Sequence, residues 1–162
     1  MVIISDTSPI ANLIVIGQLD FLRDLFSEII IPEAVNQEIL FLKQSGKDIQ
    51  AYENADWLKI KNPQDEAKVE SLRKDLDAGE AEAIVLALEL ECDLLLIDER
   101  LGNKIAAEYG LHTVGLLGVL IRAKQKNIIS EIKPLMIDLK EKAGFWIGQK
   151  LFDQILRDEG EI

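Results

Sequence analysis

The sequence predicts an α/β protein: a short parallel sheet of about four to five strands with helices on both faces. Three observations carry this. Short, wholly apolar runs recur, at Val2-Ile3-Ile4, Ile29-Ile30-Ile31 and Leu94-Leu95-Leu96-Ile97. Strands buried on both faces, as in a parallel sheet under helices, read this way. Helical stretches separate these runs, which is βα alternation. Finally, 162 residues at 48% hydrophobic are enough to bury a real core and make disorder unlikely for the chain. Right-handed crossovers then place the carboxyl ends of all strands on one edge, the edge where open α/β sheets bind ligands.

The elements follow in order. Val2 to Ile4 is the first strand. Asp6, two hydroxyl residues and Pro9 come after it. A Ser or Thr before proline predicts a helix N-cap with Pro at the first helical position. Ile10, Leu13, Ile14 and Ile16 mark a short helix stopped by Gly17. Leu19 to Phe26 is a second short helix, and Glu28 to Ile31 the second strand. Pro32 opens a helix to about Gln44. A loop over Ser45–Asp48 leads to a weak helix ending near Asn54, and Trp57 to Ile60 is an edge strand. Gln64 to Lys74 forms an exposed helix. Asp77-Ala78-Gly79 turns the chain into a helix over Glu80–Glu91, apolar nearly all round and therefore central and buried. The next strand covers Asp93–Ile97 and ends at Asp98. A helix from Arg100 stops at Gly110, and His112 to Val114 is a short further strand. Helices over Leu116–Lys126 and Glu131–Lys142 follow, with an amphipathic helix from Ile147 to Arg157. The expected organisation is one domain over residues 1–162, with a helical tail from about residue 130.

Composition removes several classes of function. A single cysteine, Cys92, permits no internal disulfide and suits a reducing compartment. No apolar run approaches the roughly 20 residues of a membrane span, and the N-terminus has no signal-like pattern; the expectation is a cytoplasmic protein. With 29 acids against 18 bases the formal charge is −11. That argues against a non-specific nucleic-acid coat, but it suits a metal site, where a divalent cation neutralises clustered carboxylates.

Two strands run straight into an aspartate, Ile4-Ser5-Asp6 and Leu96-Ile97-Asp98. If those strands are neighbours, both carboxylates come within reach of one ion; the plainer alternative is that each caps a helix. Glu38 lies on the flank of an apolar face made by Val35, Ile39 and Leu42. A bare carboxylate there is costly unless it is paired, metal-bound or at the rim. Glu80 and Glu82 open the buried helix, where acids ordinarily complement the dipole. They point about 200° apart at 3.6 residues per turn, so only one of the two is expected to face Asp6, and geometry alone does not choose.

These residues resemble the acidic quartet of the PIN-domain ribonucleases, a group that includes VapC-type toxins. The similarity rests on Asp6-Thr7-Ser8 at the N-terminus, Glu38 on the helix after the second strand, Glu80 opening an Ala/Leu-rich helix, and Asp98 ending the next strand. The Gly79-Glu80-Ala81-Glu82-Ala83-Ile84 stretch and the Asp98-Glu99-Arg100 turn are similar to a prokaryotic subfamily of the same group. The third acid is Glu where Asp is commoner. The resemblance favours Glu80 over Glu82, because that alignment carries the following helix and Asp98 without a gap. It also implies a central first strand, metal-dependent hydrolysis of phosphodiesters in single-stranded RNA, and a homodimer. For a toxin of a toxin–antitoxin pair it further implies a cognate antitoxin. Asp6 and Asp98 would then hold Mg²⁺ or Mn²⁺ directly. Glu38 and Glu80 would be ligands, water-mediated ligands or the group orienting the attacking water. Ser8, Arg100 and Lys104 are candidates for substrate contact, with an N-cap and a solvated helix face as the plain alternatives. Glu99 reads as a solvated neighbour and His112 as structural.

Two other functions compete. An aspartyl phosphotransfer domain would use Asp6 as nucleophile, but such enzymes usually carry a second aspartate where this chain has Ser8. A non-catalytic PIN-like binding or scaffold module would need no intact quartet.

Overall fold

A computed structural model describes all residues, 1–162. Five parallel strands form one sheet: β1 (Ile3–Ser5), β2 (Ile29–Ile31), β3 (Leu58–Ile60), β4 (Leu94–Leu96) and β5 (Thr113–Val114), in the order β3-β2-β1-β4-β5. The first strand is central. Ser5 is in register with Leu96 and Ile4 with Ile30. Each strand is only two or three residues long, so side chains alternate cleanly between two faces.

That alternation divides the core. Ile3, Ile29, Ile31, Leu94 and Leu96 join a cluster of 29 buried residues, while Ile4, Ile30, Leu95 and Ile97 join one of 13 on the other face. The larger cluster packs against α1 (Thr7–Val15), α2 (Phe21–Phe26), α3 (Glu33–Gln44), α8 (Leu116–Gln125), α9 (Lys133–Lys142) and α10 (Gln149–Asp158). A short helix, α4 (Gln50–Glu53), also lies on this face. The smaller cluster packs against α5 (Glu66–Leu72), α6 (Ala78–Glu89) and α7 (Arg100–Glu108). The tail helices α9 and α10 are part of the main core: Met136, Leu139, Ile155 and Leu156 are all buried. Glu161 holds the tail in place, its carboxylate accepting from Lys124 Nζ at 2.7 Å and from the backbone N–H groups of Ile132 and Lys133 at 2.8 and 2.9 Å. No helix is long and apolar enough to cross a membrane.

Several boundaries differ from the sequence expectation by one or two residues, and two of them are helix starts beside the sheet's carboxyl edge. The N-cap of α1 is Asp6, not the hydroxyl residue before Pro9, so Pro9 occupies the third helical position. Proline is tolerated there because the first N–H groups of a helix have no intrahelical partner anyway. Likewise α6 begins at Ala78, not Glu80. Asp77 is its N-cap and accepts from the Glu80 N–H at 2.8 Å. The residues over Asp77–Gly79 are the cap and first turn of that helix.

Candidate active site at the carboxyl edge

Asp6 is the residue just past β1, and its N–H donates to Leu96 O of β4 at 2.9 Å. Although it is the N-cap residue of α1, its side chain makes no cap hydrogen bond. The residue is 3% exposed, and its Oδ1 is buried without any hydrogen-bond partner. Burial pushes its pKa up to about 7. The Thr7 backbone N–H pulls the other way, and the negative charges of Asp77, Glu38 and Glu99 add to the rise. A carboxylate so placed is short of positive charge.

Glu80 reports the same surroundings. It is 7% exposed, and its pKa is pushed up to about 8, first by burial. A side-chain hydrogen bond and the charge of Asp77 come next, then the charges of Asp6 and Glu99. Glu38 is half-buried on α3 and accepts a hydrogen bond from the Thr7 hydroxyl, at the start of α1. Asp6, Glu38, Asp77, Glu80 and Glu99 therefore share one side of the carboxyl edge.

Asp98 stands at that edge but turns toward α8. Its Oδ1 accepts from the Leu116 N–H at 2.9 Å, and its Oδ2 is buried and unpartnered. Burial raises its pKa, the Leu116 N–H works against the rise, and Glu99 adds to it. Register explains the separation. Ser5 pairs with Leu96, so Asp6 lies level with Ile97, and Asp98 is one residue further on. Ile97 packs in the smaller core with α6 and α7, and the next side chain along the strand points to the other face.

Glu82 takes no part in the Asp6 cluster. Its Oε1 faces the Ala34 N–H at the start of α3, at 3.3 Å. It also lines a cavity of about 460 Å³ with Glu33, Asn62 and Arg73. Ser8, inside the first turn of α1, accepts from Asn12 Nδ2 at 3.1 Å. Arg100 and Lys104 are exposed on α7, and His112 is exposed just before β5. Sequence reading assigned no site role to Asp77, which it placed in a turn, to Thr7, quoted only within Asp6-Thr7-Ser8, or to Glu99, read as a solvated neighbour. Asp77 and Glu80 have the spacing of a capping box, which disguises a site acid as ordinary helix chemistry. Glu99 is exposed, and only the fold shows that its charge is felt by Asp6, Glu80 and Asp98 alike.

A family profile described as a PIN domain matches residues 2–161. The chain belongs to the PIN-domain family. PIN domains are generally nucleases and typically use divalent metals. No curated protein matches the chain. The donor set of this PIN domain suits a hard cation: it is all carboxylate oxygen, and Asp6 Oδ1 and Asp98 Oδ2 are buried oxygens lacking the partner a cation would provide. Arrangement is another matter. No three His, Cys, Asp or Glu side chains stand as one group able to hold a metal ion. The acids occupy the right edge, but three of them are tied elsewhere, Glu38 to Thr7, Glu80 to Asp77 and Asp98 to Leu116.

Proposed function

We propose that this PIN domain is a metal-dependent endoribonuclease that hydrolyses phosphodiester bonds in single-stranded RNA. The observation that carries the reading is the buried, unpartnered Oδ1 of Asp6 among like charges. Such an arrangement costs stability unless a cation resolves it. Asp6, Glu80 and Glu38 would hold Mg²⁺ or Mn²⁺ on the α6 side of the edge, and Asp98 would hold it on the α8 side. When bound, the ion would lower the pKa of a water and offset charge on the phosphoryl oxygens. Thr7 fixes Glu38 at the rim, and Asp77, which caps α6 through the Glu80 N–H, stands beside Glu80. Arg100 and Lys104 are the cations placed to meet an RNA backbone, on the helix that starts beside Asp98. Unpaired RNA suits a narrow acidic edge better than an A-form duplex, because its bases can splay outward.

Purified protein incubated with a pool of single-stranded RNAs and Mn²⁺ or Mg²⁺ should produce discrete fragments, with chelator stopping the reaction. If neither metal supports cleavage of any substrate, a binding or scaffold role takes precedence. The lack of a closed three-carboxylate group is the feature that favours that second reading.

A toxin role with a cognate antitoxin, a cytoplasmic location and a homodimer belong to the same proposal. Support for the dimer comes from the tail: Trp146 is 86% and Leu151 49% exposed. The short N-terminal helices offer less, since Phe21 and Leu22 are buried and Leu25 and Phe26 pack against the core. Light scattering should give twice the monomer mass, and Trp146→Ser should shift it toward monomer. A wild-type monomer at every concentration reached would remove the dimer.

A further inference from the structure

Three of the four candidate acids lean against a glycine on a different element. A Cβ on Gly115 would lie 2.7 Å from Asp98 Oδ1, and one on Gly79 would lie 2.9 Å from Glu38 Oε2. A Cβ on Gly102 would lie 2.8 Å from both Glu80 Oε2 and Ile97 Cδ1. Real Cβ atoms do not approach oxygens so closely, so any side chain at these positions must push the carboxylate away. None of the three glycines has a positive φ, so backbone conformation does not demand glycine here. The demand is for space.

The arrangement at Gly115 is the most constrained. Gly115 is the N-cap of α8 and has no side chain to cap it. Asp98 does so from the neighbouring strand, accepting from the Leu116 N–H at 2.9 Å. Aspartate is short, so it cannot both clear a new methyl group and keep this bond. Glu38 and Glu80 are longer and can swing aside at little cost to the fold, but only by leaving the places they now hold.

We infer that Gly115, Gly79 and Gly102 are positioning residues, each a bare stretch of backbone on which one carboxylate of the acidic edge is seated. The inference rests on the proposed cation-binding role of those acids. Outer contacts that orient a ligand typically change metal affinity 10- to 100-fold. The seats should therefore matter much more for cation binding than for folding.

The test compares wild type, Gly115→Ala and Gly79→Ala with Gly118→Ala as control. A Cβ on Gly118 would meet Val114 Cγ2 at 2.5 Å, a clash that involves no carboxylate. Titration with Mn²⁺ alone should show Kd raised at least about tenfold in Gly115→Ala and Gly79→Ala. In chelator Gly79→Ala should melt near wild type, while Gly115→Ala should lose only what the displaced Asp98 cap contributed. Gly118→Ala should lose melting temperature and keep its Kd. Crystal structures of the two seat variants in chelator should show Asp98 turned off Leu116 and Glu38 turned off Thr7. These structures need no metal, and either variant suffices if the other does not fold. Carboxylates left where they are in the variant, or a Kd equal to wild type, would overturn the inference. Wild-type protein that binds no Mn²⁺ would instead sink the cation reading, while displaced carboxylates would still show the seats to be real.

Discussion

Asp6→Asn should be at least as stable as wild type in chelator and should lose nearly all cleavage. The substitution keeps the shape of the side chain and removes its charge. In wild type that charge is buried, lacks a partner at Oδ1, and is opposed by Asp77, Glu38 and Glu99. Removing it relieves the repulsion. Asn also serves at an N-cap about as well as Asp, and here the side chain makes no cap bond to lose. Metal linkage should change in the opposite sense. A cation that binds only the folded protein stabilises it by about 2.7 kcal/mol at 100 times its dissociation constant, and most of that gain should vanish in the variant. A bound ion supplies several kcal/mol of charge stabilisation in the transition state, and about 1.4 kcal/mol is tenfold in rate. The expected fall in cleavage is thus about a hundredfold or more. Melting curves with and without Mn²⁺, run beside the RNA assay, measure all three effects. Wild-type activity together with an unchanged metal response would show that Asp6 is a structural residue.

In chelator, stability should decline as the pH rises from about 4 to about 8. Asp6 is raised from 3.8 to about 7 and Glu80 from 4.5 to about 8, in each case chiefly by burial. Between the lower and upper values the folded protein holds protons that the unfolded chain has released. Unfolding then releases protons, and stability falls with pH. The loss begins as pH passes the unfolded values and is complete above the folded ones. Because the two groups interact, the total is on the order of a few kcal/mol, not the sum of two independent shifts. Glu161 works the other way. Burial pushes its pKa up, but Lys124 and the N–H groups of Ile132 and Lys133 pull it below the ordinary value. Its contribution is present above the unfolded value and is lost as the pH falls through the folded one. Urea unfolding at a series of pH values should therefore give a maximum in the mildly acidic range. Mn²⁺ should flatten the decline on the alkaline side, because it competes with protons for the same oxygens. A stability that rises steadily from pH 4 to 8 in chelator would mean that Asp6 and Glu80 ionise freely.

The fold was legible because the strands are buried on both sides. Ile29-Ile30-Ile31 and Leu94-Leu95-Leu96 have no polar face to obscure them, and each proved to be a strand of the parallel sheet. Even the edge strand is where Leu58 and Ile60 suggested. Helix starts were harder. Whether Asp6 or Ser8 caps α1, and whether Asp77 or Glu80 opens α6, depends on dihedral angles, and these polar residues suit either place. The relations among the acids were legible only in part: the strand ends put Asp6 and Asp98 at one edge, but not the direction in which each turns. Asp98 turns to α8 because of register with its neighbour, and Glu99 reaches Asp6 and Glu80 only through tertiary geometry. Gly102 and Gly115 gave no signal, and Gly79 entered only as part of a turn and a family-like stretch, since a residue chosen for what it lacks leaves no trace in hydrophobic periodicity.

The contacts between α3 and α6 run in both directions. Glu82 of α6 faces the Ala34 N–H at the head of α3, and Glu38 of α3 rests against Gly79 of α6. Two helices that clasp each other this way are expected to move as one rigid body, with Glu38 and Glu80 carried on it at a fixed spacing. The helix α7 joins that body, since Glu80 of α6 rests against its Gly102, whereas α8 lies on the opposite face from α6 and α7 and holds Asp98 through the Leu116 N–H. Breathing of the edge should be lopsided, with Glu38, Glu80 and Glu99 on the stationary side and Asp98, tied to α8, on the moving one.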